Sequence, residues 1–208
     1  MSTTTKTAGI DADVARTFRL SDYLIVCAGV LVLCALVAAA AAAKPAPTVP
    51  GDPLDPRTYE PGSKVFLELH ATGVQKYACQ ANGTWLFTDR EVTLFKANGS
   101  PKADGTHFLN FASGRPVWRF KDGSFVEAAR KVTVPAGSAN IPSLLLQKAV
   151  SAAGDGDKLE RTTWVQRLNT AGGTAPTTPC APGAKLAVPY TADYFFWRQG
   201  GGSDESDD

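Results

Sequence analysis

No Gly-x-Gly-x-x-Gly turn, no Gly-x-Ser-x-Gly elbow and no Cys-x-x-Cys pair occurs anywhere in this sequence. The first absence removes the strand–turn–helix junction whose backbone amides approach a dinucleotide pyrophosphate. The nearest glycine clusters, Gly154-Asp155-Gly156 and Gly172-Gly173, lack both its spacing and its context. The second absence removes the nucleophile elbow of an α/β-hydrolase. There are two histidines, His70 and His107, and four cysteines, none at a metal-ligand spacing. No metal and no cofactor are therefore expected, and both histidines read as structural or surface residues on strands. Carboxylates for glycosidase chemistry exist at Glu68, Asp89, Glu91, Asp122, Glu127 and Asp193, but no spacing singles out a pair.

What the sequence does have is one long apolar stretch. Tyr23 to Ala43 holds twenty-one uncharged residues between Asp22 and Lys44. About twenty apolar residues cross a bilayer core as a helix. Two readings compete. In one, Leu24–Val37 is the h-region of a signal peptide cleaved after Ala41-x-Ala43. In the other, residues 23–43 stay in the membrane as a signal anchor. Lys6, Arg16 and Arg19 keep the preceding residues 1–22 cytoplasmic. Either way residues 44–208 are exported, and the expected location is extracytoplasmic, secreted or anchored by one N-terminal helix.

Within the exported part, residues 44–63 contain six prolines and read as an extended spacer. Residues 64–198 carry sixteen Lys/Arg against ten Asp/Glu, and the tail 199–208 adds four acids. A mildly basic body with an acidic tail favours anionic partners. Cys27 and Cys34 lie in the apolar stretch, which leaves Cys79 and Cys180 as the only exported pair. In an oxidising compartment an isolated pair is expected to bridge.

From Lys64 onward, alternation and turn signals indicate strands. Asn82-Gly83 and Asp122-Gly123 each suit a two-residue hairpin turn. These turns place Gln80 opposite Trp85 and Phe120 opposite Phe125. Trp118, Phe120 and Phe125 then share a buried face, with Arg119 and Lys121 on the polar one. Trp85 falls on the polar face of its hairpin. The segment from Pro142 to Gly154 reads as one short helix. The expected fold is all-β, an antiparallel β-barrel or β-sandwich over residues 64–198, preceded by the N-terminal apolar helix. Asn82-Gly-Thr and Asn98-Gly-Ser are glycosylation sequons in turns, relevant in a eukaryotic secretory pathway.

Five ordered blocks carry a resemblance: GVQKYAC at 73–79, GRPVW with KDGS at 114–124, NIPSLLL at 140–146, WVQRLNTAGGTAP at 164–176 followed by Cys180, and VPYTADYFFW at 188–197. Together they resemble an uncharacterised domain-of-unknown-function family of exported proteins, whose members often carry the label malate dehydrogenase. The resemblance implies one intact domain holding both Cys79 and Cys180, and brings no catalytic residues.

The functional expectation is a surface or cell-wall binding module. Its ligand would be an anionic polysaccharide or a lipid headgroup, held by Arg119 and Lys121 with Trp85 stacking nearby. Nucleic acid is not expected for an exported domain of modest charge. The alternative is an extracytoplasmic enzyme acting on carbohydrate. A dehydrogenase is excluded by the missing phosphate-binding turn. Calorimetric titration with NAD is expected to give no saturable heat, and micromolar affinity would overturn that exclusion.

Overall fold

The computed structural model describes residues 47–200. The apolar stretch 23–43 and most of the acidic tail lie outside the described residues. Eight antiparallel strands close into one barrel in sequence order. They are β1 (Ser63–Cys79), β2 (Trp85–Lys96), β3 (Ala103–Asn110), β4 (Arg115–Phe120), β5 (Phe125–Val134), β6 (Ser143–Ala152), β7 (Trp164–Gly172) and β8 (Lys185–Gln199). The barrel thus replaces the barrel-or-sandwich alternative. Pairing of β1 with β8 closes the sheet, which removes the exposed edges of an open one.

Two expectations give way here. The segment after Pro142 is strand β6, not a helix. Its leucines are buried on both sides of the sheet. Leu144 and Leu146 join the barrel interior, while Leu145 joins an outer cluster with Leu54, Trp164, Phe195 and Trp197. A short, continuous apolar run with two buried faces belongs to a strand, although periodicity alone does not separate it from a helix.

The second concerns register. Both hairpins turn through three residues, not two. Gly83 N–H donates to the Gln80 carbonyl and Gln80 N–H to the Thr84 carbonyl, at 3.0 and 2.9 Å. Gly123, Phe120 and Ser124 repeat the pattern at the same distances. Each loop ends on a glycine at positive φ, 79° and 81°, the geometry of a turn followed by a one-residue bulge. Cys79 therefore faces Trp85, and Arg119 faces Phe125. Trp118 and Phe120 stay inside, but Phe125 moves to the outer face and Ser124 is wholly buried.

One end of the barrel is plugged. Ser124 Oγ donates to Asp122 Oδ1 at 2.6 Å and accepts from the Leu159 amide at 3.0 Å, while Asp122 Oδ2 accepts from the Lys158 amide at 3.1 Å. These bonds hold the 153–163 loop against the turn and seat Leu159 in the core. A side chain at Gly154 would meet the backbone of Asp122 and Gly123 within 2.5 Å, so only glycine fits there.

Residues 48–62, which the composition reads as part of a spacer, lie against the outer faces of β7 and β8. Gln166 Nε2 donates to the Leu54 carbonyl at 2.7 Å, and the Trp197 indole donates to Gln166 Oε1 at 3.2 Å. The Trp164 indole donates to Glu60 at 2.5 Å. A short 3₁₀ turn, Pro56–Thr58, is capped by the buried Asp55, which pairs with Arg57.

The expected Cys79–Cys180 disulfide is present, spanning 101 positions. It ties the end of β1 to the loop before β8. Replacing both cysteines by serine is expected to lower stability by about 2–4 kcal/mol. Urea unfolding with and without reductant measures this, and an unchanged midpoint would contradict it.

Candidate functional site

The end opposite the plug is open. β1, β3, β5 and β7 finish there, and a cavity of about 570 Å³ leads inward. That volume lies within the usual range for small-molecule sites. Its apolar lining includes Phe87, Leu109, Ile141, Pro142, Leu144 and Leu146. Its polar lining is one-sided: Arg90, Arg115, Arg130 and Arg167, with Gln75 and Tyr77, and no carboxylate.

Strand alternation explains how the arginines arrive there. Arg90 follows the inward face of β2 below Val92 and Leu94, and Arg167 follows Val165 on β7. Arg90 lies over the Phe87 ring at 5.0 Å, and its Nη1 is 3.3 Å from His107 Nε2. Arg167 is buried and donates from Nε and Nη2 to the Pro142 carbonyl at 3.0 and 2.8 Å. Among the described residues neither arginine forms an ion pair. Burial holds the Arg90 guanidinium below its ordinary value, and the positive charge of Arg167 acts in the same direction. An enclosed cation without an ion-pair partner is costly, so the interior favours any anion that reaches it.

Behind Arg90 lies an aromatic floor. His107 stacks on Trp118 with centroids 4.4 Å apart, and Tyr194 meets both edge-on at 5.2 and 5.4 Å. His107 Nδ1 is 2.8 Å from the Val117 carbonyl. A carbonyl only accepts, so Nδ1 carries the proton and Nε2 accepts from Arg90. Burial, then the charge of Arg90, holds this imidazole well below its ordinary value and keeps it neutral. Burial beside Tyr194 pushes the Tyr190 phenol far upward.

The residues expected to bind from the sequence are not brought together. Trp85 is on the face of β2 shared with Phe87, at the open end, not on a polar outer face. Arg119 and Lys121 are near the plugged end. Arg119 is exposed above Phe108 at 5.8 Å, beside Phe125 in an outer groove. Lys121 pairs with Asp104 at 2.6 Å. Asn82 and Asn98 are exposed, and their side-chain oxygens accept from the amides of Thr84 and Ser100.

The candidate carboxylates are committed elsewhere. Glu91 pairs with Lys76 and Glu127 with Arg115. Asp122 holds the plug. On the outer face Asp193 accepts from Asn169 at 2.8 Å and lies 2.8 Å from His70. Glu68 lines the same outer cleft as His70 and Asp193. Asp89 is opposite Lys76. Among the described residues no group of His, Cys, Asp and Glu is arranged to hold a metal.

An eight-stranded antiparallel barrel with one plugged end and one cationic mouth is thus the class of molecule. The chain belongs to the family described as protein of unknown function (DUF3455), whose model matches residues 60–198. No curated protein and no solved structure matches it significantly.

The neutral, buried His107 has a consequence for stability. As pH falls below about 6.5, the unfolded imidazole binds a proton that the folded one refuses, so folding loses up to about 1.4 kcal/mol per pH unit. The contribution is full above that pH and is lost below it. Urea unfolding from about pH 7.5 to about pH 5 is expected to show this slope, and His107→Gln to flatten it. Equal slopes in the two proteins would refute the assignment.

Proposed function

We propose that this domain is an extracytoplasmic binding module whose barrel mouth takes a small anionic molecule with an apolar body. One observation carries the reading: Arg90 and Arg167 are enclosed in a largely apolar cavity without a carboxylate among its lining residues. The classes expected from sequence are an anionic polysaccharide or a lipid headgroup, and the apolar lining favours an anion that carries an apolar body over a polysaccharide. The anionic preference is retained, while its place moves from the outer face of Arg119 and Lys121 to the mouth. Lys121 already has a partner in Asp104, and Arg119 lies among phenylalanines.

The extracytoplasmic location is supported by the Cys79–Cys180 disulfide, which suits an oxidising compartment. The apolar residues 23–43 with basic residues before them support the same placement, as a cleaved signal or a retained anchor. No described helix is long and apolar enough to cross a membrane. Asn82 and Asn98 would be accessible acceptors in a eukaryotic pathway. The enzymatic alternative gains no support from the mouth, whose lining lacks the carboxylate pair that carbohydrate hydrolysis uses.

The test is calorimetry on the full chain with octanoate, octanol and octylamine at low ionic strength. Octanoate is expected to bind best, and Arg90→Met to weaken it about tenfold or more, as loss of a charged hydrogen bond implies. Equal affinity for the acid and the amine, or an unaffected Arg90→Met protein, would overturn the proposal.

A further inference from the structure

The atoms beneath the mouth constrain how such an anion sits, provided that the mouth is the anion site proposed above. Four buried side-chain polar groups there have no partner outside their own cluster: Arg90 Nε, Trp118 Nε1, and the hydroxyls of Tyr190 and Tyr194, the last two beside each other. They belong to one cluster, since His107 touches Arg90, stacks on Trp118 and meets Tyr194, and Tyr190 adjoins Tyr194. Arg90 Nε and Trp118 Nε1 can only donate, the two tyrosine hydroxyls can donate or accept, and His107 Nε2 is already turned to Arg90. Buried donors are nearly always matched by acceptors. A guanidinium N–H and an indole N–H that can only donate, with two hydroxyls able to donate beside them, therefore suit a group that only accepts. The charge of Asp89, next in sequence and also with an unpartnered oxygen, acts on Arg90 without forming an ion pair, and Asp89 lies opposite Lys76 in register on the other face of the strand.

We infer that the ligand is a monocarboxylic acid that enters head first, its carboxylate reaching Arg90 at the floor and its apolar body filling the mouth. A carboxylate accepts at both oxygens and matches the planar guanidinium fork. The lining agrees with this polarity. Phe87, Leu109 and Ile141 line the way in, and Trp85 lies on the face of Phe87 two residues nearer the opening. The tail thus points towards solvent, and its length is not limited by the floor. A head held at the rim by Arg115 or Arg130 would instead drive the tail against His107 and Trp118.

The two orientations predict opposite responses to chain length. Hexanoate, octanoate and decanoate, with the matching alcohols, are titrated into the full chain and into a Tyr190→Phe/Tyr194→Phe variant. Removing the two hydroxyls conserves packing, and the melting temperature checks that the fold is kept. The expected result is acid affinity that rises or holds with chain length. The variant is expected to weaken acid binding about tenfold, the size of one to two hydrogen bonds to a charged group, while alcohols bind it unchanged. Acid affinity falling beyond octanoate, or acid binding unaltered in the variant, overturns the head-first orientation and leaves the anion site standing. Failure of every acid to bind the parent protein overturns both.

Discussion

Closure of the sheet is the constraint on which the rest of the structure depends. Eight strands enclose a space just wide enough for side chains to fill, so whatever points inward on β1 meets what points inward everywhere else. β1 pairs along most of its length with both β2 and β8, with a bulge of its own at Phe66 and one in β2, at Thr88, facing Lys76 and Tyr77. Gly73 lies between the two, where a β-carbon would stand 2.2 Å from the Glu91 carbonyl oxygen. Apolar residues fill the plugged half. In the open half the inward positions carry arginines, and a cavity remains.

The charges sort by side of the sheet. Outside or at the rim, Lys76, Lys121 and Arg115 each meet a carboxylate, Glu91, Asp104 and Glu127 respectively. Arg90 and Arg167, inside, meet a histidine nitrogen and a proline carbonyl. Part of the basic surplus of residues 64–198 is therefore concentrated where the dielectric is lowest and a charge acts most strongly.

Much of this fold was legible. Alternation marked the strands, Asn82-Gly83 and Asp122-Gly123 marked the turns, and the export argument singled out the Cys79–Cys180 pair. The registers were missed because an Asx-Gly pair serves a two-residue turn and a three-residue bulged loop equally well, and one extra residue moves Phe125 outside. The helix after Pro142 was misread because Leu144 to Leu146 have buried surroundings on both sides, and no sequence pattern says what covers Leu145. The mouth was less legible still. Arg90 and Arg167 become neighbours only when the barrel closes. The signal that existed was their place on apolar faces at a two-residue period, Arg90 with Val92 and Leu94, Arg167 with Val165. A cation there is either misplaced or functional.

The Cys79–Cys180 bond encloses all of β2 through β7 within its loop. When the chain emerges from its N-terminus, the second sulfur arrives after seven of the eight strands. Oxidation therefore cannot precede the arrival of those seven strands. The same loop makes the barrel tolerant of damage. A protease that cuts once anywhere between the two cysteines leaves two pieces still joined by sulfur, with β1 and β8 held together at the seam.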